Sequence, residues 1–214
     1  MVSRNQSRKR KRYTKVRYQP LRKTKNDLPR SLYSDKQVQD YYIRHLSTLL
    51  PNVSFSTSYY DLGYVEKDIN IKINIPNNSG LHNLWYRKHI YDCVILTINY
   101  EFYMKKYGHV SLVLIDTNNK IIEWFDTSDT EPCMFDPVIS KIKEYLPDYE
   151  IVKVNTYYIQ EDENDIYCQT WIYYYVWKRL YKKKDYKSII DKIMSKDKKS
   201  RTDVIRKFHY KITK

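Results

Sequence analysis

The chain has 214 residues, a formal net charge of +14 at pH 7 and 42% hydrophobic residues. This length and apolar content predict one folded domain and argue against global disorder or two full domains. No run of 18 apolar residues is present and no apolar stretch follows the basic N-terminus, so we expect neither a membrane protein nor a secreted one. Cys93, Cys133 and Cys168 are too few and too scattered for a disulfide framework or a zinc knuckle, which favours a reducing compartment.

The positive charge is concentrated at the two ends of the chain. Residues 1–30 contain 12 Lys and Arg against one Asp, and residues 178–214 contain 15 against four Asp, whereas residues 31–177 are net acidic. Five of the N-terminal charges are consecutive: Arg8, Lys9, Arg10, Lys11 and Arg12. No apolar periodicity surrounds them, so the pattern predicts a disordered tail that binds DNA or another polyanion or serves nuclear import. The alternative is a tail that only confers solubility.

The predicted elements between these ends alternate in type. In chain order they are a helix at 35–50, a strand at 68–75, a buried strand or helix turn at 91–100, hairpin strands at 110–115 and 121–125, a helix at 136–146, a strand at 149–157 and an aromatic-rich buried helix at 168–181. Charged and apolar residues then alternate in 185–214, which predicts one or two amphipathic helices with a solvated basic face. Together these elements predict an α+β domain at 31–184, flanked by the basic tail and the C-terminal segment.

Four polar residues fall at the ends of these elements. His109 opens the first hairpin strand and Asp126 follows the second, so the hairpin places an imidazole beside a carboxylate. Cys168 begins the aromatic helix, and a helix N-terminus favours the thiolate form of a cysteine. Gln160, in the acidic loop before that helix, offers an amide N–H to a developing oxyanion, with the Cys168 backbone N–H as a second donor. Each residue alone also has a structural reading, such as an Asx-turn at Asp126 or a small buried side chain at Cys168.

The chain order His–Asp–Gln–Cys resembles the adenovirus-proteinase and SUMO-protease (ubiquitin-like-protease) superfamily of cysteine peptidases. The matching text lies at 109–116, 124–128, Gln160 and 167–171, and Asp126 stands 17 positions after His109. Papain-like enzymes have the cysteine first and the histidine later. The segment Tyr-Cys-Gln-Thr-Trp at 167–171 is most similar to proteases of large DNA viruses. The resemblance implies an α+β cysteine peptidase fold, with a central mixed sheet and the nucleophile at the N-terminus of a buried helix.

The resemblance also implies roles for the four residues. Cys168 is expected to be the nucleophile, His109 the general base, Asp126 its orienting partner and Gln160 an oxyanion donor, with no metal or organic cofactor. The implied activity is a cysteine endopeptidase that cleaves protein precursors at Gly-Gly or Gly-Ala sites during virion maturation. Three alternatives stay open: a protease for ubiquitin-like modifiers, an acetyltransferase of the same fold, and a non-catalytic nucleic-acid-binding virion protein. We expect a monomer with a protein substrate, in the virion or in the host cytoplasm or nucleus.

Overall fold

The computed structural model describes residues 35–55, 61–65, 68–74, 83–102, 108–128, 136–155, 157–161, 165 and 167–213. The tail predicted at 1–30, with Arg8 to Arg12, and Cys133 lie outside the described residues. The helices are α1 (Asp35–Leu49), α2 (Leu84–Arg87), α3 (Asp136–Tyr145), α4 (Cys168–Val176), α5 (Tyr186–Met194) and α6 (Lys198–Thr213). The strands are β1 (Val53–Phe55), β2 (Asp61–Val65), β3 (Asp68–Asn74), β4 (Cys93–Phe102), β5 (Gly108–Asp116), β6 (Ile121–Phe125) and β7 (Glu150–Lys153).

The seven strands of the described residues form one mixed sheet. Its order is β3-β2-β4-β5-β6-β7, and β1 pairs alongside β4. Strand β5 is antiparallel to both β4 and β6, whereas β1 and β2 run parallel to β4 and β7 runs parallel to β6. The predicted hairpin is thus β5–β6, and the ambiguous segment at 91–100 is a central strand. The mixed sheet expected from the sequence is confirmed.

Helices cover both faces of this sheet. Leu112 and Leu114 of β5 belong to the core beneath α1, α4, α5 and α6, whereas Val113 and Ile115 belong to the core on the opposite side, which contains residues of α2 and α3. All four side chains have no exposed area. A strand buried on both faces needs apolar residues at every position, which explains why 110–115 is almost continuously apolar.

Helix α4 is the central helix of the larger core. Every residue from Thr170 to Val176 is buried. The ring of Tyr175 stacks on Phe125 of β6 at 4.5 Å between centroids, and its hydroxyl donates to the fully buried Glu123 carboxylate at 2.6 Å. Arg179, in a π-helical turn at Trp177–Tyr181 that extends the helix, pairs with the same carboxylate at 2.8 Å. These contacts fix the predicted aromatic helix against the sheet, and with it the position of Cys168.

The C-terminal segment forms the two amphipathic helices α5 and α6. Helix α6 packs against α1 and α4, and it buries Arg201, Thr202, Ile205, Phe208 and His209. The boundary predicted at residue 185 therefore does not correspond to a break in the packing, because the apolar face of α6 belongs to the larger core. Within the described residues, no helix combines the length and the apolar character that crossing a bilayer requires.

Candidate active site

The hairpin brings His109 and Asp126 together. His109 lies near the start of β5, and Asp126 is the first residue after β6, which pairs with β5 up to Phe125 opposite Leu112. His109 Nε2 lies 2.8 Å from Asp126 Oδ1, and the two side chains are only 12% and 5% exposed. The predicted imidazole–carboxylate contact is therefore present, in a site largely shielded from water.

Two further residues hold the Asp126 carboxylate. Ser128 donates to Asp126 Oδ1 through its backbone N–H at 2.7 Å and its hydroxyl at 2.9 Å, and its Oγ also lies 3.0 Å from His109 Nε2. Asn155 clamps the Asp126 backbone, since its Oδ1 accepts from the N–H at 3.3 Å and its Nδ2 donates to the carbonyl at 2.6 Å. Asp126 is thus both an Asx-turn residue and a histidine partner. The strand predicted at 149–157 ends at Lys153, just before the residue that makes this clamp.

The imidazole also interacts with the predicted nucleophile. Burial by itself lowers the pKa of His109, but hydrogen bonds to Asp126 and Cys168, with their negative charges, outweigh burial and raise this pKa from 6.5 to about 10. The ring is consequently an imidazolium at neutral pH. Because Asp126 and Ser128 lie against Nε2, Nδ1 is the ring nitrogen that remains for the sulfur. A cation beside a thiol favours the thiolate, which is the nucleophilic form.

The start of α4 adds a second favourable field at Cys168. The preceding residue, Tyr167, provides no side-chain cap for the first turn of the helix. The dipoles of the N–H groups in that turn favour negative charge on the half-buried Cys168 side chain. The same groups suit the oxyanion of a tetrahedral intermediate.

Cys93 has the opposite environment. It is 3% exposed within β4, and burial, reinforced by the Asp116 and Glu123 carboxylates, raises the pKa of its thiol well above the usual value. A neutral buried thiol is a poor nucleophile. Of the two cysteines in the described part of the chain, Cys168 is the one placed for reaction.

Gln160 lies at the site but is engaged by neighbouring groups. Its Oε1 accepts from the Thr127 hydroxyl, and its Nε2 donates to the Asp165 carbonyl at 3.0 Å and to Asp165 Oδ1 at 3.1 Å. The buried Asp165 carboxylate also accepts from the Tyr167 N–H at 3.1 Å and from Trp171 Nε1 at 2.9 Å. Asp165 therefore ties Gln160 to the start of α4. The oxyanion role of Gln160 stays a prediction, because this amide faces Asp165 in the structure.

Three residues of this arrangement were missed by the sequence reasoning in these roles. Ser128 had a usable signal, since an aspartate side chain commonly accepts from the backbone N–H two residues further on, in an Asx-turn. Asn155 had none, because its partner Asp126 lies 29 residues earlier in the chain. Asp165 had a local signal of the same kind as Asp126, since its carboxylate accepts from the Tyr167 N–H two residues on. The described residues contain no group of three or more His, Cys, Asp or Glu arranged to hold a metal ion. The chemistry that this arrangement offers is nucleophilic attack by a thiolate beside an oriented imidazolium.

Comparison with known proteins identifies the fold. No protein-family model matches the sequence, and no curated protein matches it significantly. Among solved structures, the Chlamydia trachomatis effector ChlaDUB1 is similar at 14% identity and a TM-score of 0.53, over 82% of each chain. The Chlamydia trachomatis effector Cdu1 bound to ubiquitin is similar at 14% identity and a TM-score of 0.52, over 82% of this chain and 90% of the other. The chain therefore shares the fold of these two effector proteins, and the α+β fold class predicted from the sequence is confirmed.

Proposed function

We propose that the protein is a cysteine endopeptidase that hydrolyses a protein amide bond with Cys168, His109 and Asp126. The observation that carries the proposal is the geometry of the site. His109 lies 2.8 Å from Asp126, hydrogen-bonds Cys168 and has a pKa raised to about 10, while Cys168 occupies the N-terminus of a buried helix. The fold shared with ChlaDUB1 is consistent with this chemistry.

The reaction follows from the positions of the groups. The Cys168 thiolate attacks the scissile carbonyl carbon, and the carbonyl electron pair moves to oxygen, near the N–H groups that begin α4. Collapse of this tetrahedral intermediate breaks the C–N bond, and the His109 imidazolium gives its proton to the leaving amine. The neutral imidazole then takes a proton from water, which attacks the thioester. Release of the carboxylate product regenerates the thiolate–imidazolium pair.

Asp126 keeps the imidazole in the orientation that this sequence of proton transfers requires. Its Oδ1 is fixed by two donors from Ser128, and its backbone is fixed by Asn155, so the carboxylate cannot turn away from His109 Nε2. An acceptor held at Nε2 leaves Nδ1 to exchange its proton with the sulfur, the amine and water.

For the substrate we propose protein precursors cleaved after small residues, at Gly-Gly or Gly-Ala sites, in virion maturation within the virion or the host cytoplasm or nucleus. The support is the resemblance of residues 167–171 to proteases of large DNA viruses and the basic tail, which suits an enzyme packaged with nucleic acid. A second candidate is a ubiquitin-like modifier, which is favoured by the similarity to Cdu1 bound to ubiquitin.

One set of assays tests both substrates. Purified protein would be incubated with a quenched-fluorescence peptide containing Gly-Gly-Ala, with ubiquitin bearing a C-terminal fluorogenic amide, and with acetyl-CoA plus an acceptor peptide, each beside Cys168→Ala. We expect hydrolysis of the peptide that depends on Cys168. Preferential cleavage of the ubiquitin amide would select the modifier protease, whereas acetyl transfer without hydrolysis would overturn the proposal.

A further inference from the structure

The residues that precede Cys168 are held from outside the catalytic site. The described residues of this stretch are Gln160, Glu161, Asp165 and Tyr167. Glu161 is 34% exposed, and its Oε1 pairs with Arg201 Nη2 of α6 at 3.0 Å. Glu161 directly follows Gln160, so this ion pair restrains the chain at the residue that we expect to donate to the oxyanion.

The guanidinium of Arg201 is buried, so it requires this contact with Glu161. The Arg201 side chain is only 4% exposed, and among the described residues its Nη1 donates to the weak acceptor Met194 Sδ at 3.1 Å. A guanidinium removed from water needs a carboxylate beside it, and among the described residues Glu161 provides that carboxylate. A second cation of α6, Lys198, lies with its Nζ 3.8 Å from Glu161 Oε2 but is largely exposed, whereas Asp203 and Arg206 pair with each other on the helix surface. The position of Glu161 is thus coupled to the buried end of an Arg side chain on α6.

A second contact of α6 reaches the other side of the nucleophile. His209 lies two turns beyond Arg201, about 12 Å along the helix axis. Its Nδ1 lies 2.6 Å from the Tyr42 hydroxyl and 3.1 Å from Thr170 Oγ1, and its ring lies 5.6 Å from that of Tyr167. Tyr167 precedes Cys168 directly, and Thr170 follows it by two residues. Helix α6 therefore contacts the chain on both sides of Cys168.

We propose that Arg201 and His209 are positioning residues for the nucleophile, a role that rests on the proposed function. Arg201 acts through Glu161 on Gln160, and His209 acts through Tyr167 and Thr170 on the start of α4. Their effect is to hold Cys168 in register with His109, so that the sulfur and the imidazole remain hydrogen-bonded.

The test compares variants that loosen these contacts with matched controls. Glu161→Gln and Arg201→Gln remove the ion pair, Arg201→Lys retains a cation, and Asp203→Asn removes an α6 carboxylate that pairs within its own helix. His209→Leu removes the hydrogen bonds to α1 and α4, whereas His209→Gln retains polar groups at that place. The measurements are Tm, kcat and KM on the Gly-Gly peptide, and the rate of Cys168 alkylation by iodoacetamide between pH 5 and 9.

We expect Glu161→Gln, Arg201→Gln and His209→Leu each to lower kcat roughly 10- to 100-fold with little change in KM, as for a displaced catalytic group. Alkylation should slow more at pH 6, where it depends on the thiolate–imidazolium pair, than at pH 9, where an unpaired thiolate also reacts. The Glu161→Gln/Arg201→Gln double variant should be no slower than the worse single variant. Arg201→Lys and His209→Gln should recover part of the rate, and Asp203→Asn should match the original protein.

The result that overturns the proposal is a folded Glu161→Gln and a folded His209→Leu that alkylate and turn over at the original rates. Loss of rate that is equal at every pH and follows the fall in Tm would also overturn it, since that marks a purely structural role. If Arg201→Gln does not fold, the kcat and alkylation rate of Glu161→Gln test the role of the ion pair, because Glu161 is partly exposed. If no hydrolysis occurs with any variant or with the original protein, the proposed function fails, while the alkylation profiles still test the positioning role.

Discussion

Replacement of Asp126 by Asn separates the charge of this residue from its geometry. Asp126 Oδ1 accepts from the Ser128 N–H at 2.7 Å and from the Ser128 hydroxyl at 2.9 Å. Two donors aimed at one position favour the oxygen of the substituted carboxamide there, rather than its nitrogen. The imidazole should consequently retain an acceptor at Nε2, and the variant should lose the negative charge while keeping much of the orientation.

The pKa of His109 indicates how much the negative charge of Asp126 contributes to the site. The pKa of His109 is about 10, against an ordinary value of 6.5, and burial opposes this rise. Without the carboxylate charge, we expect the His109 pKa to fall from about 10 toward 6.5. Loss of a neighbouring opposite charge typically shifts a pKa by about one to three units, at ~1.4 kcal/mol of imidazolium stabilisation per unit. The alkaline limb of the kcat/KM profile should move down by the same amount. We expect kcat near neutral pH to fall roughly 10- to 100-fold, a smaller loss than for His109→Ala.

The same shift predicts a pH-dependent stability. A pKa raised in the folded state contributes stability that is fully present below about pH 6.5 and is lost as the pH rises through about 10. Denaturant unfolding between pH 6 and 10 should show this loss in the original protein and a smaller one in Asp126→Asn. An unmoved alkaline limb, or an Asp126→Asn enzyme slower than His109→Ala, would refute the role assigned to the carboxylate.

Three other changes test the remaining parts of the site. Cys168→Ala should lower turnover by several orders of magnitude without loss of folding, whereas Cys93→Ser should retain activity. Peptide hydrolysis by Cys168→Ala would exclude Cys168 as the nucleophile. Gln160→Ala should reduce kcat roughly 10²- to 10³-fold at a similar KM, and an unchanged kcat would assign the oxyanion to other donors. Deletion of residues 1–30 should spare peptide turnover but weaken DNA binding and flatten its salt dependence by about 0.9 for each phosphate that the tail neutralises; unchanged salt-sensitive binding would show that the tail is not the tether.

The parts of the fold that could be predicted are those with a local signal. The β5–β6 hairpin was predicted because its apolar strands flank a polar turn within one stretch of chain, and this placed His109 beside Asp126. The burial of α4 was predicted because aromatic residues cover all its faces. Strands β1 and β2 were missed, since they are short and pair in parallel with β4, which is distant in sequence.

The supporting contacts of the site were missed for a related reason. Asn155 binds the backbone of Asp126, 29 residues earlier in the chain, so its residue type carries no positional signal. Asp165 differs, because its partner Tyr167 is only two residues away and an Asx-turn there is a local signal. The C-terminal segment shows the same limit. Its spacing predicted amphipathic helices with a solvated basic face, but no local pattern indicates that Arg201 would be buried against Glu161 while its charged neighbours stay at the surface. Long-range ion pairs are decided by packing rather than by periodicity.

Labelling with an electrophilic peptide that ends in Gly-Gly, followed by mass-spectrometric mapping of the modified residue, shows directly which cysteine is the nucleophile. The reagent forms a covalent bond only with a thiolate that lies in a site able to bind small residues. We expect one adduct, on Cys168, that forms far more slowly in His109→Ala and not at all in Cys168→Ala. Labelling of Cys93 or Cys133 instead, or equal labelling of Cys168 with and without His109, would contradict the claim that Cys168 and His109 form a catalytic pair.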